Sequence, residues 1–362
     1  MAAVLNPAGA FEAGARPKRS GAVGVDAIGD FDQVIDVRSP AEFALDHVPG
    51  AINCPVLDNE ERERVGTLYA RSPFDAKKLG AALVSKNIAR HIESRFQDRG
   101  REWRPLVYCW RGGKRSAALA HVLREIGWQA ATLEGGYRAY RRAVVSALAE
   151  LPSRYSFEVI CGATGSGKSR LLEALAARGA QVLDLEAIAQ HRGSVLGDLP
   201  GAPQPSQKMF DSLVRDRLLR FDPRRPVMVE AESKKIGQLQ VPSALLEKMR
   251  EGRCIRVDVP VAERVRFLIE EYRHFLENPA GLKEKLLCLK GLYGGEVIER
   301  WVAQAQAGSW SELVGELLER HYDPAYRKST LRNFPGSENA HAVALNELSA
   351  EALERAAAGL AR

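Results

Sequence analysis

Short apolar runs alternate with amphipathic stretches along the chain, and this alternation predicts an α/β fold. Residues 33–37, 106–108 and 157–161 are apolar runs of strand length, which are typical of strands buried in a parallel sheet. Residues 117–126 and 171–175 follow two of these runs with the apolar spacing of a helix that buries one face. A strand followed by a helix, repeated in this way, indicates parallel sheets covered by helices.

The length of the chain indicates two domains, because 362 residues exceed what one ordinary core accommodates. Pro152 and Ser153 mark the expected boundary between them. The predicted organisation is a flexible tail over 1–24, a first domain over 25–150 with a helical insert at 56–104, a second domain over 153–330 that is helical from 242 to 330, and a peripheral tail over 331–362.

Composition narrows the class of protein. Hydrophobic residues make up 45% and charged residues 27%, as in a globular protein, and no apolar run approaches the ~18 residues of a membrane span. The net charge of +6 favours a polyanionic partner. Five scattered cysteines without metal-ligand spacing predict reduced thiols in the cytoplasm and no metal site.

The stretch LVYCWRGGKRS places a cysteine between a predicted strand and a predicted helix. Glycines let the backbone N–H groups converge on one point, and basic side chains add positive charge, so the segment predicts an anion-binding loop that lowers the pKa of the thiol. The alternative is an inert buried cysteine, but the glycines and cations favour a nucleophile. The predicted catalytic residue is Cys109, and the predicted anion loop is Trp110, Arg111, Gly112, Gly113, Lys114, Arg115 and Ser116.

Two enzyme classes use such a loop. Cys109 and Arg115 have the C-x5-R spacing that resembles cysteine-dependent phosphatases, whereas the strand context and Gly112 resemble the rhodanese active-site loop. The loop is one residue longer than in the commonest sulfurtransferases. A wider loop suits a tetrahedral, phosphate-sized anion better than a bare sulfane sulfur.

A complete G-x4-G-K-S motif follows the strand at 157–161 and precedes the helix at 171–175. Such a P-loop surrounds a diphosphate with backbone N–H groups, and its lysine neutralises the charge. The predicted phosphate-binding residues are Gly162, Ala163, Thr164, Gly165, Ser166, Gly167, Lys168 and Ser169.

Asp184 and Glu230 stand at the ends of two further predicted strands. In a nucleotide kinase, a carboxylate at such a position holds the Mg²⁺ shell. Alternatively, these carboxylates anchor neighbouring cations such as Lys234 and Lys235. Both residues are therefore weak candidates, a requirement for Mg²⁺ stays open, and no tightly bound cofactor or metal is expected.

The motifs DVRSPAEF, HVPGAIN, the cysteine loop and LEGGYRAY together resemble a rhodanese domain. With GATGSGKS, PVLDNEERERVGTLY, HRGSVLG, QPSQ, VEAESKKIG and HYDPAY, the chain resembles the tRNA 2-selenouridine synthase family over residues 26–326. The resemblance implies a rhodanese-like domain followed by a P-loop NTPase-like parallel-sheet domain with a helical C-terminal extension.

The resemblance also implies a function, namely conversion of 2-thiouridine to 2-selenouridine at the wobble position of tRNA. The substrates would be selenophosphate, supplied by selenophosphate synthetase, and geranyl diphosphate, which would form an S-geranylated intermediate. The P-loop would stabilise the departing diphosphate. Cys109 would take selenium as an S-selanyl adduct or would only position the donor, and the sequence leaves this choice open.

Two other functions are compatible with the residues. One is a sulfurtransferase or cysteine phosphatase fused to an ATP-dependent small-molecule kinase, which leaves the insert and the basic charge unexplained. The other is a nucleotide-gated module that binds tRNA or a protein without catalysis, in which Cys109 would have no role.

Overall fold

The computed structural model of the chain describes residues 21–360. These residues form two compact units that divide between Ala143 and Val144. Of the tail predicted over 1–24, residues 1–20 lie outside the described part, and the last four are ordered because Gly21–Val23 forms a strand. No helix in the described part is both long and apolar enough to cross a membrane.

The first unit is a five-stranded parallel sheet with helices. Its strands are β1 (Gly21–Val23), β2 (Gln33–Asp36), β3 (Ile52–Asn53), β4 (Pro105–Tyr108) and β5 (Ala131–Leu133), and its helices are α1 (Pro40–Leu45), α2 (Asn59–Arg71), α3 (Pro73–His91), α4 (Lys114–Ile126) and α5 (Gly136–Glu150), the last of which crosses the division between the units. The strand order is β1-β5-β4-β2-β3, and every neighbouring pair is parallel.

Strand β4 is the centre of this unit because all four of its residues are buried. Helix α4 packs its apolar face, Leu119, Ala120 and Leu123, into the same core. Cys109, the first residue of the loop between β4 and α4, therefore lies at the carboxyl end of a buried strand.

Helices α2 and α3 occupy the region predicted as a helical insert. Helix α2 begins at Asp58, whose side chain accepts a hydrogen bond from the Glu61 N–H in a capping box. Helix α3 buries Asn87, and the amide of Asn87 donates to the Val56 carbonyl and to the Glu61 carboxylate. These bonds fix the insert to the segment that follows β3.

The second unit contains a five-stranded parallel sheet and a short antiparallel pair. Its strands are β6 (Phe157–Cys161), β7 (Gln181–Leu183), β8 (Val227–Glu230), β9 (Lys235–Ile236), β10 (Leu239–Gln240), β11 (Arg253–Asp258) and β12 (His341–Ala344), and its helices are α6 (Lys168–Ala177), α7 (Leu185–Ala189), α8 (Gln207–Leu219), α9 (Ser243–Arg250), α10 (Val261–Glu271), α11 (Arg273–Glu277), α12 (Pro279–Leu287), α13 (Lys290–Tyr293), α14 (Gly295–Ala307), α15 (Trp310–Leu317), α16 (Asp323–Asn333) and α17 (Ala350–Leu360).

The parallel sheet has the order β12-β11-β6-β8-β7, with β6 at its centre. Strands β7 and β8 lie on one side of β6, and β11 and β12 lie on the other side. The carboxyl end of β6 therefore lies at a topological switch point, where open α/β sheets bind ligands. The predicted α/β class, with a parallel sheet in each unit, is confirmed.

The predicted peripheral tail over 331–362 is corrected by the structure. Strand β12 pairs with β11 in the register Ile255 to His341, and Leu353 and Ala357 of α17 lie in one core with Leu171 of α6. Strand β12 has only four residues and most of them are exposed, so its sequence shows no hydrophobic periodicity. Strand β12 is therefore part of the parallel sheet, and α17 is one of the helices that pack on this sheet.

The region predicted as helical from 242 to 330 also contains a strand. Strand β11 pairs with β6 in the register Cys254 to Val159. The sequence RCIRVD mixes charged and apolar residues without a regular alternation, so it gave no strand signal among the predicted helices. Helices α11, α12, α14 and α15 of this region pack around Trp301, which is fully buried.

Candidate active sites

Cys109 follows the central strand β4 directly and is 4% exposed. Its sulfur accepts a hydrogen bond from the Gly113 N–H at 3.3 Å and from the Ser116 hydroxyl at 3.3 Å. The sulfur is therefore buried among polar donors rather than sealed in hydrocarbon. We call residues 109–116 the cysteine loop.

The pKa of the Cys109 thiol lies below its ordinary value. Burial raises it, but the hydroxyl and N–H of Ser116 and the N–H groups of Arg111 and Gly113 lower it by more. The sequence predicted that the cations of the loop would contribute to this effect. The structure attributes it to uncharged donors.

The first residues of α5 form backbone hydrogen bonds with the cysteine loop. The Tyr137 and Arg138 N–H groups donate to the carbonyls of Cys109 and Trp110 at 2.9 and 3.1 Å. Gly136 has a φ of +56°, and a Cβ at Gly136 would lie 2.3 Å from the Cys109 carbonyl oxygen. Only glycine fits at this position.

The three predicted cations of the loop have different surroundings. Arg115 forms an ion pair of 3.5 Å with Glu42, which also pairs with Arg62 of the insert at 2.9 Å. Glu42 thus connects α2 to the cysteine loop. Within the described part of the chain, Arg111 and Lys114 have no ion-pair partner, and both are exposed.

An exposed aromatic residue adjoins the sulfur. The Trp110 ring stacks on the Tyr137 ring with a centroid distance of 5.2 Å, and Trp110 remains 37% exposed. The Tyr137 ring also packs against the Arg38 guanidinium at 4.0 Å. Arg38 forms a buried ion pair with Asp36, as a scaffold residue should.

The G-x4-G-K-S motif lies between β6 and α6, with the strand and helix that its sequence context predicts. Gly165 and Gly167 have φ of +80° and +72°. Ser166 is 1% exposed, and a Cβ at Gly162 would lie 2.4 Å from its hydroxyl. These glycines allow a tight turn whose N–H groups can surround an anion. We call residues 162–169 the P-loop.

Lys168 and Ser169 form bonds within the unit. The Lys168 ammonium donates to the Gly162 carbonyl at 2.8 Å, and the Ser169 hydroxyl donates to the Glu186 carboxylate at 3.0 Å. The P-loop lines a cavity of about 580 Å³, which we call the P-loop cavity. The segment HRGS, residues 191–194, lines the same cavity.

Four carboxyl groups lie near Lys168, and burial is the main cause that raises their pKa values. A neighbouring carboxylate adds to the effect in each case: Glu173 for Asp184, Asp184 for Glu186 and Glu230, and Glu186 for Glu232. Asp184 caps α7 by accepting from the Ala187 N–H, and Glu230 is 1% exposed and accepts from the Glu186 N–H at 2.8 Å. Glu186 and Glu232, which the sequence did not select, line the P-loop cavity together with Asp184.

Among residues 21–360, no group of three His, Cys, Asp or Glu side chains has a geometry that could hold a metal ion. Burial raises the pKa of Glu230, and burial together with the nearby Glu186 carboxylate raises the pKa of Glu232 to about 8.

Helix α10 is fixed to the P-loop by a buried arginine. Arg264 is 4% exposed, donates to the Thr164 carbonyl at 3.1 Å and forms two bonds of 2.7 Å with Asp323. Arg264 therefore has a structural role. Arg266 is paired with Glu263 at 2.6 Å.

A second, apolar cavity adjoins the P-loop cavity. Five residues line both of them, namely Thr164, Ser194, Leu268, Tyr272 and Tyr322. The apolar cavity has a volume of about 60 Å³. The remaining residues that line it are aliphatic or aromatic, and all except Leu196 lie between α10 and α12 or from α15 onwards. We call it the apolar pocket. Sequence periodicity indicated buried helices here but not a cavity between them.

Two family models match the chain. A rhodanese-like domain matches residues 25–143, and the tRNA 2-selenouridine synthase AAA domain matches residues 155–284. The matched ranges contain the cysteine loop and the P-loop, respectively.

Curated relatives extend the similarity over most of the chain. The chain is 36% identical to a tRNA 2-selenouridine synthase of Nitrosomonas europaea, over 70% of this chain and 66% of that protein. It is 35% identical to the Bdellovibrio bacteriovorus protein of that name, over 83% and 89%. It is 32% identical to that of Alcanivorax borkumensis, over 81% and 88%.

Proposed function

Because the chain belongs to the tRNA 2-selenouridine synthase family, we propose that it replaces the 2-thio sulfur of the wobble uridine in tRNA by selenium. The rhodanese-like domain would deliver selenium, and the P-loop domain would first activate the sulfur. Each of the two domains supplies one anion-binding loop for one of these steps.

In the first proposed step, the thiouridine sulfur attacks C1 of geranyl diphosphate. The C–S bond forms, the C–O bond breaks with its electron pair going to diphosphate, and the N3 proton of the base is released to solvent. The thiocarbonyl sulfur becomes part of a thioether, which is a better leaving group. The P-loop N–H groups and Lys168 would stabilise the charge that accumulates on diphosphate.

The observation that carries this step is that the P-loop cavity shares its wall with the apolar pocket. An isoprenoid diphosphate needs a site for its charge and an apolar site for its tail. The P-loop N–H groups and Lys168 offer the first, and the apolar pocket offers the second. ATP needs no such apolar site for its phosphates.

In the second proposed step, selenium takes the place of the geranylated sulfur. The Cys109 thiolate attacks the phosphorus of selenophosphate, which selenophosphate synthetase supplies; the S–P bond forms, the P–Se bond breaks, and hydrogen selenide leaves. Water then hydrolyses the S–P bond to give phosphate and restore the thiolate. Selenide then attacks C2 of the base, the C–Se bond forms, and geranylthiol leaves. The cysteine loop supports this role because its N–H groups and the exposed Arg111 and Lys114 suit a phosphate-bearing anion next to Cys109.

The test uses the purified chain, tRNA with a 2-thiolated wobble uridine, and geranyl diphosphate without ATP. Nucleoside mass spectrometry should show a gain of one geranyl group. Lys168→Ala should lower this transfer at least about a hundredfold, because the departing diphosphate loses its cation, whereas the exposed Lys235→Ala should not change it.

A second variant separates the two steps. Cys109→Ser should leave geranyl transfer unchanged and abolish 2-selenouridine when selenophosphate is added. Brisk ATP hydrolysis without a modified nucleoside would contradict the proposal and support the fusion of a sulfurtransferase or phosphatase with a kinase.

A further inference from the structure

We propose that the apolar pocket binds the second isoprene unit of the diphosphate substrate, so that this unit selects the length of the tail. The inference rests on the proposed geranyl transfer. It adds which residues of the chain distinguish a ten-carbon donor from a five-carbon donor.

The polar and apolar residues of the pocket are separated in space. Its hydroxyl-bearing residues, Thr164, Ser194, Tyr272 and Tyr322, all belong to the wall shared with the P-loop cavity. Those that line only the apolar pocket include Ile269, Phe275, Leu282, Leu313, Val314 and Leu317. The environment therefore changes from polar to apolar with distance from the P-loop, as a diphosphate ester of a hydrocarbon requires.

The size of the pocket corresponds to one isoprene unit. A water-sized group occupies about 10–15 Å³ of such a volume, so about 60 Å³ holds roughly four to six groups of that size. An isoprene unit has five carbons. The first unit of a geranyl chain would then lie at the shared wall, and the second would lie inside the pocket.

The pocket and the P-loop are parts of one packed assembly. A Cβ at Gly165 of the P-loop would lie 2.8 Å from the Leu268 side chain, which lines both cavities. Arg264, one turn earlier on α10, holds the Thr164 carbonyl. The phosphate end and the tail end of a bound substrate are thus positioned by the same helix.

The test compares donors on the full-length chain with thiolated tRNA. The wild type should transfer geranyl with a kcat/KM about tenfold or more above that for dimethylallyl diphosphate, because only the longer donor buries a second isoprene unit. Two variants fill the pocket from different helices, namely Val314→Phe on α15 and Ile269→Phe on α10. Each should lower kcat/KM for the geranyl donor about tenfold or more and leave that for the dimethylallyl donor unchanged.

Val302→Phe on α14 is the matched control, because Val302 is half-buried against the same helical core but does not line the pocket. Inhibition by inorganic diphosphate should be the same in all variants if the P-loop is intact. Unchanged geranyl transfer in both filling variants, or equal losses with both donors, would overturn the inference while the proposed function stands. Absence of geranyl transfer in the wild type would instead overturn the proposed function.

Discussion

The cysteine loop and the P-loop are built alike, yet they shift the pKa values of their acidic groups in opposite directions. Each follows the central strand of a parallel sheet and leads into a helix that packs on that sheet. In the first unit, the pKa of Cys109 is lowered. In the second, the pKa values of the four carboxyl groups near Lys168 are raised.

The difference follows from where the donors point. The Gly113 N–H and the Ser116 hydroxyl point at a sulfur that belongs to the chain, so this loop stabilises an anion of its own. In the P-loop, the Lys168 ammonium is bonded to a neutral carbonyl. The same strand-loop-helix arrangement thus directs its donors at a thiol of the chain in one unit, whereas in the other unit it suits the proposed diphosphate leaving group.

The largest expected effect is a loss of selenium incorporation without a loss of geranyl transfer, which would show that the two loops act independently. Gly136→Ala places a Cβ 2.3 Å from the Cys109 carbonyl oxygen at a φ of +56°, so the cysteine loop must move. Selenium incorporation should fall about a hundredfold or more, because small displacements of reacting groups have effects of that size. Geranyl transfer, measured on the same tRNA, should not change.

Gly29→Ala is the control for this variant, because Gly29 is exposed, lies outside the cysteine loop, and a Cβ there meets nothing within 4 Å. It should retain selenium incorporation. If the Gly136→Ala protein incorporates selenium at the wild-type rate, the contact between α5 and the cysteine loop does not position Cys109.

A smaller effect is expected when the Ser116 hydroxyl, which donates a hydrogen bond to the Cys109 sulfur, is removed. Ser116→Ala removes a donor that lowers the pKa of Cys109, so the pKa should rise and less thiolate should be present at pH 7. Alkylation by iodoacetamide at pH 7 should slow about tenfold, and its pH profile should move to higher pH. The control is Ser94→Ala, an exposed serine whose hydroxyl bonds the Arg90 carbonyl. An unchanged profile would contradict the assignment of this hydroxyl.

The smallest expected effect concerns the carboxyl groups. Burial, followed by repulsion from Glu186, raises the pKa of Glu232 from 4.5 to about 8. Between these pH values the folded chain holds a proton that the unfolded chain has lost, so Glu232 lowers the free energy of unfolding progressively as pH rises through this window. Glu232→Gln should therefore raise the free energy of unfolding at pH 8 by about 1–3 kcal/mol.

Denaturant unfolding at two pH values measures this difference. Near pH 4.5 both proteins carry a neutral side chain at position 232, so their stabilities should be nearly equal. Glu173→Gln, at an exposed carboxylate of the same cavity, should change neither value by more than about 0.5 kcal/mol. A Glu232→Gln protein that gains nothing at pH 8 would show that Glu232 is ionised in the folded chain.

The strand and helix on either side of the P-loop and of the cysteine loop could be predicted because the residues that shape these segments are local. A strand, a short loop with glycines and a helix stand side by side in the chain, and their patterns are visible without knowledge of distant contacts. The α/β class follows from the same patterns.

What the sequence could not show depends on residues that are far apart in the chain. Gly136 was visible in LEGGYRAY, but its contact with the Cys109 carbonyl arises from the packing of β5 beside β4. The sequence placed Glu42 in a predicted helix but gave no sign of its ion pair with Arg115, which is far away in the chain. The apolar pocket likewise exists only between helices that single stretches of sequence describe one at a time.

One feature of the second unit bears on its biosynthesis. A Cβ at Gly167 of the P-loop would lie 2.8 Å from the Leu348 side chain, and α17 packs on α6 beyond strand β12. During synthesis the P-loop is therefore made long before strand β12 and helix α17, which pack against its unit. A chain released before residue 341 would carry the whole G-x4-G-K-S motif but lack the strand and helix on which that motif rests.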